Sequence, residues 1–165
     1  MSKIIAIMLL LCCGMMLFGC ADDNGRRKAE QQKTIVVTDS VGRKVELPYP
    51  LERVAVCNVY NAELITAVGA IDKIVGVDNY IFKDQSGFKN RFNEAQVFGI
   101  SQNAMNYEKL AVLSPQAVII TGEGTWRDAQ EMLDRFGIKV IVINSYYTDQ
   151  FADNCVYSMN FALKA

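Results

Sequence analysis

Five short apolar runs at near-constant spacing constrain this chain more than any other feature. They are Val54-Ala55-Val56, Ile74-Val75-Gly76-Val77, Val97-Phe98-Gly99, Ala117-Val118-Ile119-Ile120 and Val140-Ile141-Val142-Ile143. Their starts at 54, 74, 97, 117 and 140 lie 20, 23, 20 and 23 residues apart. Apolar runs without polar alternation are strands covered on both faces, as in parallel sheets. Each interval leaves room for the crossover helix that two parallel neighbours require. The expected fold class is therefore α/β, an open, mostly parallel sheet with flanking helices. A hairpin precedes it. Thr34 to Thr38 reads as a strand, Asp39-Ser40-Val41-Gly42 turns, and Arg43 to Leu47 returns until Pro48 and Pro50 stop it.

The helices are legible between the runs. Asn61 to Val68 carries Ala62, Leu64, Ile65 and Val68 and stops at Gly69. Asn106 caps Tyr107 to Leu113, which Ser114-Pro115 ends. Thr125 with Asp128 resembles a capping box. Behind it Ala129, Met132, Leu133 and Phe136 form one helical stripe that Gly137 closes. The stretch 78–96 reads as a loop with a short helix around Phe88 to Asn93. In the last segment, Thr148 to Ala165, the residues Phe151, Cys155, Met159 and Ala162 recur at helical spacing with no cap after them. That segment reads as a helix cut short.

The N-terminus follows different rules. Lys3 is the only charge in residues 1–20, and Ile4 to Phe18 is an unbroken apolar run of fifteen. That length suits the core of an export signal and is short for a bilayer span. Leu17-Phe18-Gly19-Cys20 resembles the lipobox of bacterial and archaeal lipoproteins, which implies lipidation and cleavage at Cys20. An ordinary signal peptide or an N-terminal anchor is the plainer reading of the same run. Residues 21–33 are polar, without apolar period, and read as a flexible tether. Residues 34–147 form the α/β lobe.

Composition excludes several classes. With 17 basic and 18 acidic residues the net charge is −1, so no basic surplus points to nucleic acid. Histidine is absent, which removes the commonest general base and the commonest metal ligand. No nucleophile–base pair is visible, so no catalytic residue, metal site or cofactor is assigned. Cys57 and Cys155, the cysteines beyond the signal region, either pair or stand as two buried thiols.

In an open parallel sheet, ligands bind outside the carboxyl ends of the strands. Those ends carry Asn58 and Tyr60, then Tyr80, then Ser101, then Trp126, then Tyr146 and Tyr147. Aromatic rings beside amides and hydroxyls suit a large, partly apolar ligand. The same residue types are also ordinary loop formers. Gly122-Glu123-Gly124 before a helix lacks the third glycine of a dinucleotide fingerprint, and a tight loop explains it equally well.

The run from Asp39 to Pro48 with Arg53-Val54 resembles the opening of substrate-binding proteins of ABC importers for iron-siderophores, haem and cobalamin. Glu63-Leu64 with Ala67-Val68-Gly69 continues the likeness, as do Ile74 to Val77, Glu108 with Leu113 to Ile119, and Phe136 to Val140. Gln116 departs from the family's usual Asp. The resemblance implies two α/β lobes joined by one long helix, with ligand between them. This chain matches the N-terminal lobe, with Thr148 opening a truncated inter-lobe helix. It further implies capture of a chelated metal and delivery to a permease and its ATPase, from the outer face of the cytoplasmic membrane. Glu108 falls where the family places a permease-docking acid, although a first-turn glutamate is also favoured by the helix dipole alone. A doubly wound enzyme using the same crevice, or a fragment without function, are the alternative expectations.

Overall fold

The structure, a computed structural model, describes residues 33–85, 87–144 and 162–163. The signal region, the tether up to Gln32, Cys20, Tyr146, Tyr147 and Cys155 lie outside them. Strands β1 (Thr34–Thr38) and β2 (Lys44–Pro48) pair antiparallel, with Thr34 opposite Pro48 and Thr38 opposite Lys44. The remaining strands are β3 (Val54–Val56), β4 (Ile74–Asp78), β5 (Val97–Gly99), β6 (Ala117–Ile120) and β7 (Lys139–Val142). They form one parallel sheet in the order β5-β4-β3-β6-β7. The expected fold class is observed, and each apolar run became a strand to within a residue or two.

The period-two geometry of a strand explains why these runs are apolar throughout. Val54, Val56, Ala117, Ile119, Ile141 and Ile143 belong to one core layer, with hairpin residues Val37 and Leu47. Ala55, Cys57, Val118, Ile120, Val140 and Val142 belong to the other. Helices α1 (Val59–Ala67) and α2 (Asn79–Lys83) bury Ala62, Ile65 and Ile81 in the first layer. Helices α3 (Tyr107–Leu113) and α4 (Trp126–Asp134) bury Leu110, Ala129 and Leu133 in the second. Neither face of the sheet is left to water, so neither strand face needs polar residues.

Ala162 and Leu163 are helical and buried in the first layer. The Leu51 N–H donates to the Ala162 carbonyl at 3.1 Å, and Lys73 Nζ donates to the Leu163 carbonyl at 2.6 Å. That part of the last segment's apolar face is therefore covered by the lobe itself.

Two local expectations need correction, and one departure finds its role. The short helix of the 78–96 stretch is α2 at its start, not Phe88 to Asn93, which forms turns. Asp78 starts it by accepting from the Ile81 N–H at 3.0 Å. Thr125 precedes α4 but makes no capping hydrogen bond; its hydroxyl lies 3.4 Å from Asn103 Oδ1 instead. Gln116 does carry a structural role without being Asp. Its Oε1 accepts from the Glu52 N–H at 2.7 Å and the Arg53 N–H at 3.0 Å.

Candidate functional site

The strand order reverses direction at β3, which lies between β4 and β6. Loops leaving β3 and β6 therefore part in opposite directions and open a crevice at the carboxyl ends. A cleft of about 490 Å³ occupies this position. Asn58, Tyr60, Tyr80 and Ser101 line it, together with Asp78, Gln102, Asn103, Thr121, Glu123 and Gly124. Four of the seven sequence-assigned ligand residues thus come together at one place. Trp126 does not line the cleft. Its ring lies 4.3 Å from the Arg43 guanidinium carbon and 4.2 Å from that of Arg127, and it packs on the second core layer. Tyr146 and Tyr147 lie outside the described residues.

Asp78 organises the floor. It is 2% exposed, and its Oδ2 accepts from the Asn58 N–H at 2.9 Å while Oδ1 accepts from Ile81. One carboxylate thereby holds the starts of both α1 and α2. Burial pushes the Asp78 carboxyl above its ordinary range, and the N–H groups of Ile81, Asn58 and Tyr80 draw it part of the way back. Cys57 is a buried free thiol, and burial, reinforced by the Asp78 charge, raises its pKa and holds it protonated.

The walls are braced by side-chain amides. Asn58, at φ +78 and ψ 130, caps α1 by accepting from the Tyr60 N–H at 3.0 Å. That backbone conformation is sparsely populated outside glycine and is held by the Asp78 contact. Gln102 bridges two loops. Its Oε1 accepts from the Thr121 N–H at 2.9 Å and hydroxyl at 2.8 Å, and its Nε2 donates to the Glu123 carbonyl. The Gly122 N–H donates to Asn144 Oδ1 at 2.6 Å. Gly124 sits at φ +86, where a Cβ would stand 2.5 Å from Asn103 Oδ1. Both glycines serve close approach to asparagine side chains, so the tight-loop reading accounts for Gly122-Glu123-Gly124. Tyr60 and Tyr80 are 49% and 62% exposed at the mouth.

Asp78, Gln102 and Thr121 stand at the strand ends that sequence reasoning pointed to, but it singled out the aromatic residues, Asn58 and Ser101 there as ligand contacts and gave these three no role. Asp78 carried a signal: a carboxylate ending an apolar strand has to find donors locally. Gln102 carried none, since its partners are 19 and 21 residues away.

Gly99 fixes the 100–105 loop that forms one wall. A Cβ there would meet the Ala104 carbonyl oxygen at 2.5 Å and Met105 Cα at 2.9 Å, both backbone. Gly99→Ala should cost about 2 kcal/mol, an overpacking penalty. Denaturant unfolding checks this, and a loss below about 0.5 kcal/mol would show that the loop yields freely.

Glu108 is exposed in the first turn of α3 and does not line the cleft. Among the described residues, no three His, Cys, Asp or Glu side chains stand close enough to hold a metal ion.

No protein-family model and no curated protein matches the sequence. Solved structures do match the fold. A periplasmic solute-binding protein from Veillonella parvula matches 79% of this chain and 43% of its own, at 22% identity and a TM-score of 0.52. The molybdate periplasmic binding protein MolA of a Haemophilus influenzae ABC transporter matches 67% of this chain and 34% of its own, at 22% identity and a TM-score of 0.58. The petrobactin-binding protein YclQ from Bacillus subtilis matches 79% of this chain and 48% of its own, at 13% identity and a TM-score of 0.58. The chain spans less than half the length of each of these three, and at such identities the likeness is one of fold.

Proposed function

We propose that this chain is the N-terminal lobe of an ABC-importer substrate-binding protein. It captures a chelated metal, an iron-siderophore, haem or cobalamin, and hands it to the permease. The observation that carries this reading is the cleft at the sheet's reversal point, on a fold that solved binding proteins share. Asn58, Tyr60, Tyr80 and Ser101 contact the chelate, the tyrosines by stacking and the amide and hydroxyl by hydrogen bonds. Nothing in this role needs bond making, and the site supports it by shape and contact alone. Export and a lipid at Cys20 would keep the lobe beside the permease.

Glu108 is the docking residue in this reading. An exposed carboxylate on the first turn of α3 is open to a bidentate pair with a permease arginine. In cells expressing the protein from its own gene, Glu108→Gln should lower chelate uptake about tenfold, the cost of roughly one charge-assisted contact. Affinity for the chelate, measured on the purified protein, should stay within about twofold because Glu108 is outside the cleft. An equal fall in both quantities would remove the docking role. Titration of the purified chain with iron(III) chelates tests capture itself. Binding that perturbs the cleft tyrosines supports the reading, and no binding by any chelate overturns it.

A further inference from the structure

The cleft's hydrogen-bonding and charge inventory carries a statement about which chelates fit. Helices that follow parallel strands aim their amino ends at the strand-end crevice, and such ends ordinarily favour anions. At α1 and α2, and at the loop amides of Thr121 and Gly122, the protein supplies its own acceptors; α4 alone among the helices beside the cleft has no side-chain cap among the described residues. The Asn58 and Ile81 N–H groups donate to Asp78, the Tyr60 N–H to Asn58, the Thr121 N–H to Gln102, and the Gly122 N–H to Asn144. The Gln102 amide is itself engaged at both ends. What the cleft offers beyond these is acidic, aromatic and, at Ser101 and Asn103, neutral and polar. Asp78 and Glu123 are its charged lining residues, and no Lys or Arg lines it among the described residues. Neither carboxylate has a basic partner among those residues. Tyr60 and Tyr80, both exposed at the mouth, carry electron-rich rings, which attract positive groups.

We infer that this cleft selects neutral or cationic metal chelates bearing hydrogen-bond donors, and rejects oxyanions and polyanionic chelates. The inference rests on the chelate-capture reading and sharpens its ligand class. A trianionic complex entering a cleft with one carboxylate buried in its floor and another on its rim meets like charge. Charge pairs at about 10 Å there are worth roughly 1–2 kcal/mol before salt screening. Discrimination of about tenfold or more is the consequence.

The test titrates the full chain, followed by NMR, with gallium(III) complexes as diamagnetic stand-ins for iron(III). The probes are a trihydroxamate complex carrying a free ammonium, a neutral trihydroxamate complex, a trianionic tricatecholate complex, and molybdate. The cationic and neutral complexes should bind at least tenfold more tightly than the tricatecholate and molybdate, with shifts at Tyr60, Tyr80 and Ser101. Glu123→Lys, a change at an exposed loop residue, should shrink that preference at least threefold. Equal or tighter binding of the anionic probes overturns the inference while leaving chelate capture standing. An unchanged preference in Glu123→Lys, or shifts confined to residues outside the cleft, overturns it as well. Binding by none of the probes removes the capture reading and this inference with it.

Discussion

Arg43→Met should destabilise the lobe by about 3 kcal/mol, at the low end of the cost of breaking a buried ion pair. Asp39 is fully buried, and Arg43 Nη2 lies 2.6 Å from its Oδ2, with Nε donating to the same oxygen at 2.9 Å. The opposite carboxylate oxygen accepts from the Arg43 and Val41 N–H groups at 2.9 and 3.2 Å. Those two amides remain in the variant, which is why the low end of the range applies. The guanidinium also donates to Gln130 and, at 3.2 Å, to the Val140 carbonyl, and it faces the Trp126 ring. One side chain therefore clamps the hairpin turn to α4 and β7. Arg43→Lys keeps the charge but loses the two-pronged geometry, so it should fall between wild type and methionine. Asp39→Asn combined with Arg43→Met should recover part of the loss, because the buried charge is gone. Denaturant unfolding measures all three; a methionine variant within about 1 kcal/mol of wild type would show that the clamp is dispensable.

The Arg43 clamp also marks the limit of what sequence carries here. The strands were legible because a sheet covered on both faces needs apolar residues at every position, and few other folds demand such runs at this spacing. Helices α3 and α4 were legible from Asn106, Gly137 and the Ala129–Leu133 stripe, all local signals. The turn at Asp39 to Gly42 was legible for the same reason. The partner of its arginine at Val140 was not, since 97 residues separate them. Helix α2 was missed because five residues are too few for a periodic pattern. Trp126 at a strand end read as a ligand contact. Nothing local in the sequence says that its ring would meet Arg43 and Arg127 while Tyr60 and Tyr80 line the cleft. Position along a strand is local information, whereas the direction of a side chain after a turn depends on residues far along the chain.

Asp78→Ala should cost about 3 kcal/mol and collapse the cleft floor. A lost helix cap is worth about 1 kcal/mol, and a buried N–H left without an acceptor about 1–3 kcal/mol. Here both Asn58 and Ile81 lose their acceptor at once, offset in part because a buried charge disappears. Asn58 is the more sensitive of the two, since its strained backbone at φ +78 depends on that contact. The NMR signals of Tyr60 and Tyr80 should therefore move even without ligand. Asp78→Asn keeps one acceptor oxygen and turns its NH₂ toward the other donor, so its loss should be smaller. The pair of variants also separates charge from hydrogen bonding through pH. Burial is the largest influence on Asp78, and its folded pKa lies above the unfolded one. The folded state then binds the proton more tightly, so this group's contribution is fully present below the ordinary carboxylate range. It is lost as pH rises through the raised value. Asp78→Asn has no such titration. The stability of wild type relative to Asp78→Asn should consequently fall as pH rises across that window. A difference that stays flat would mean that the three backbone donors balance burial; one that grows with pH would mean that they outweigh it and that the Asp78 carboxylate is stabilised in its charged form.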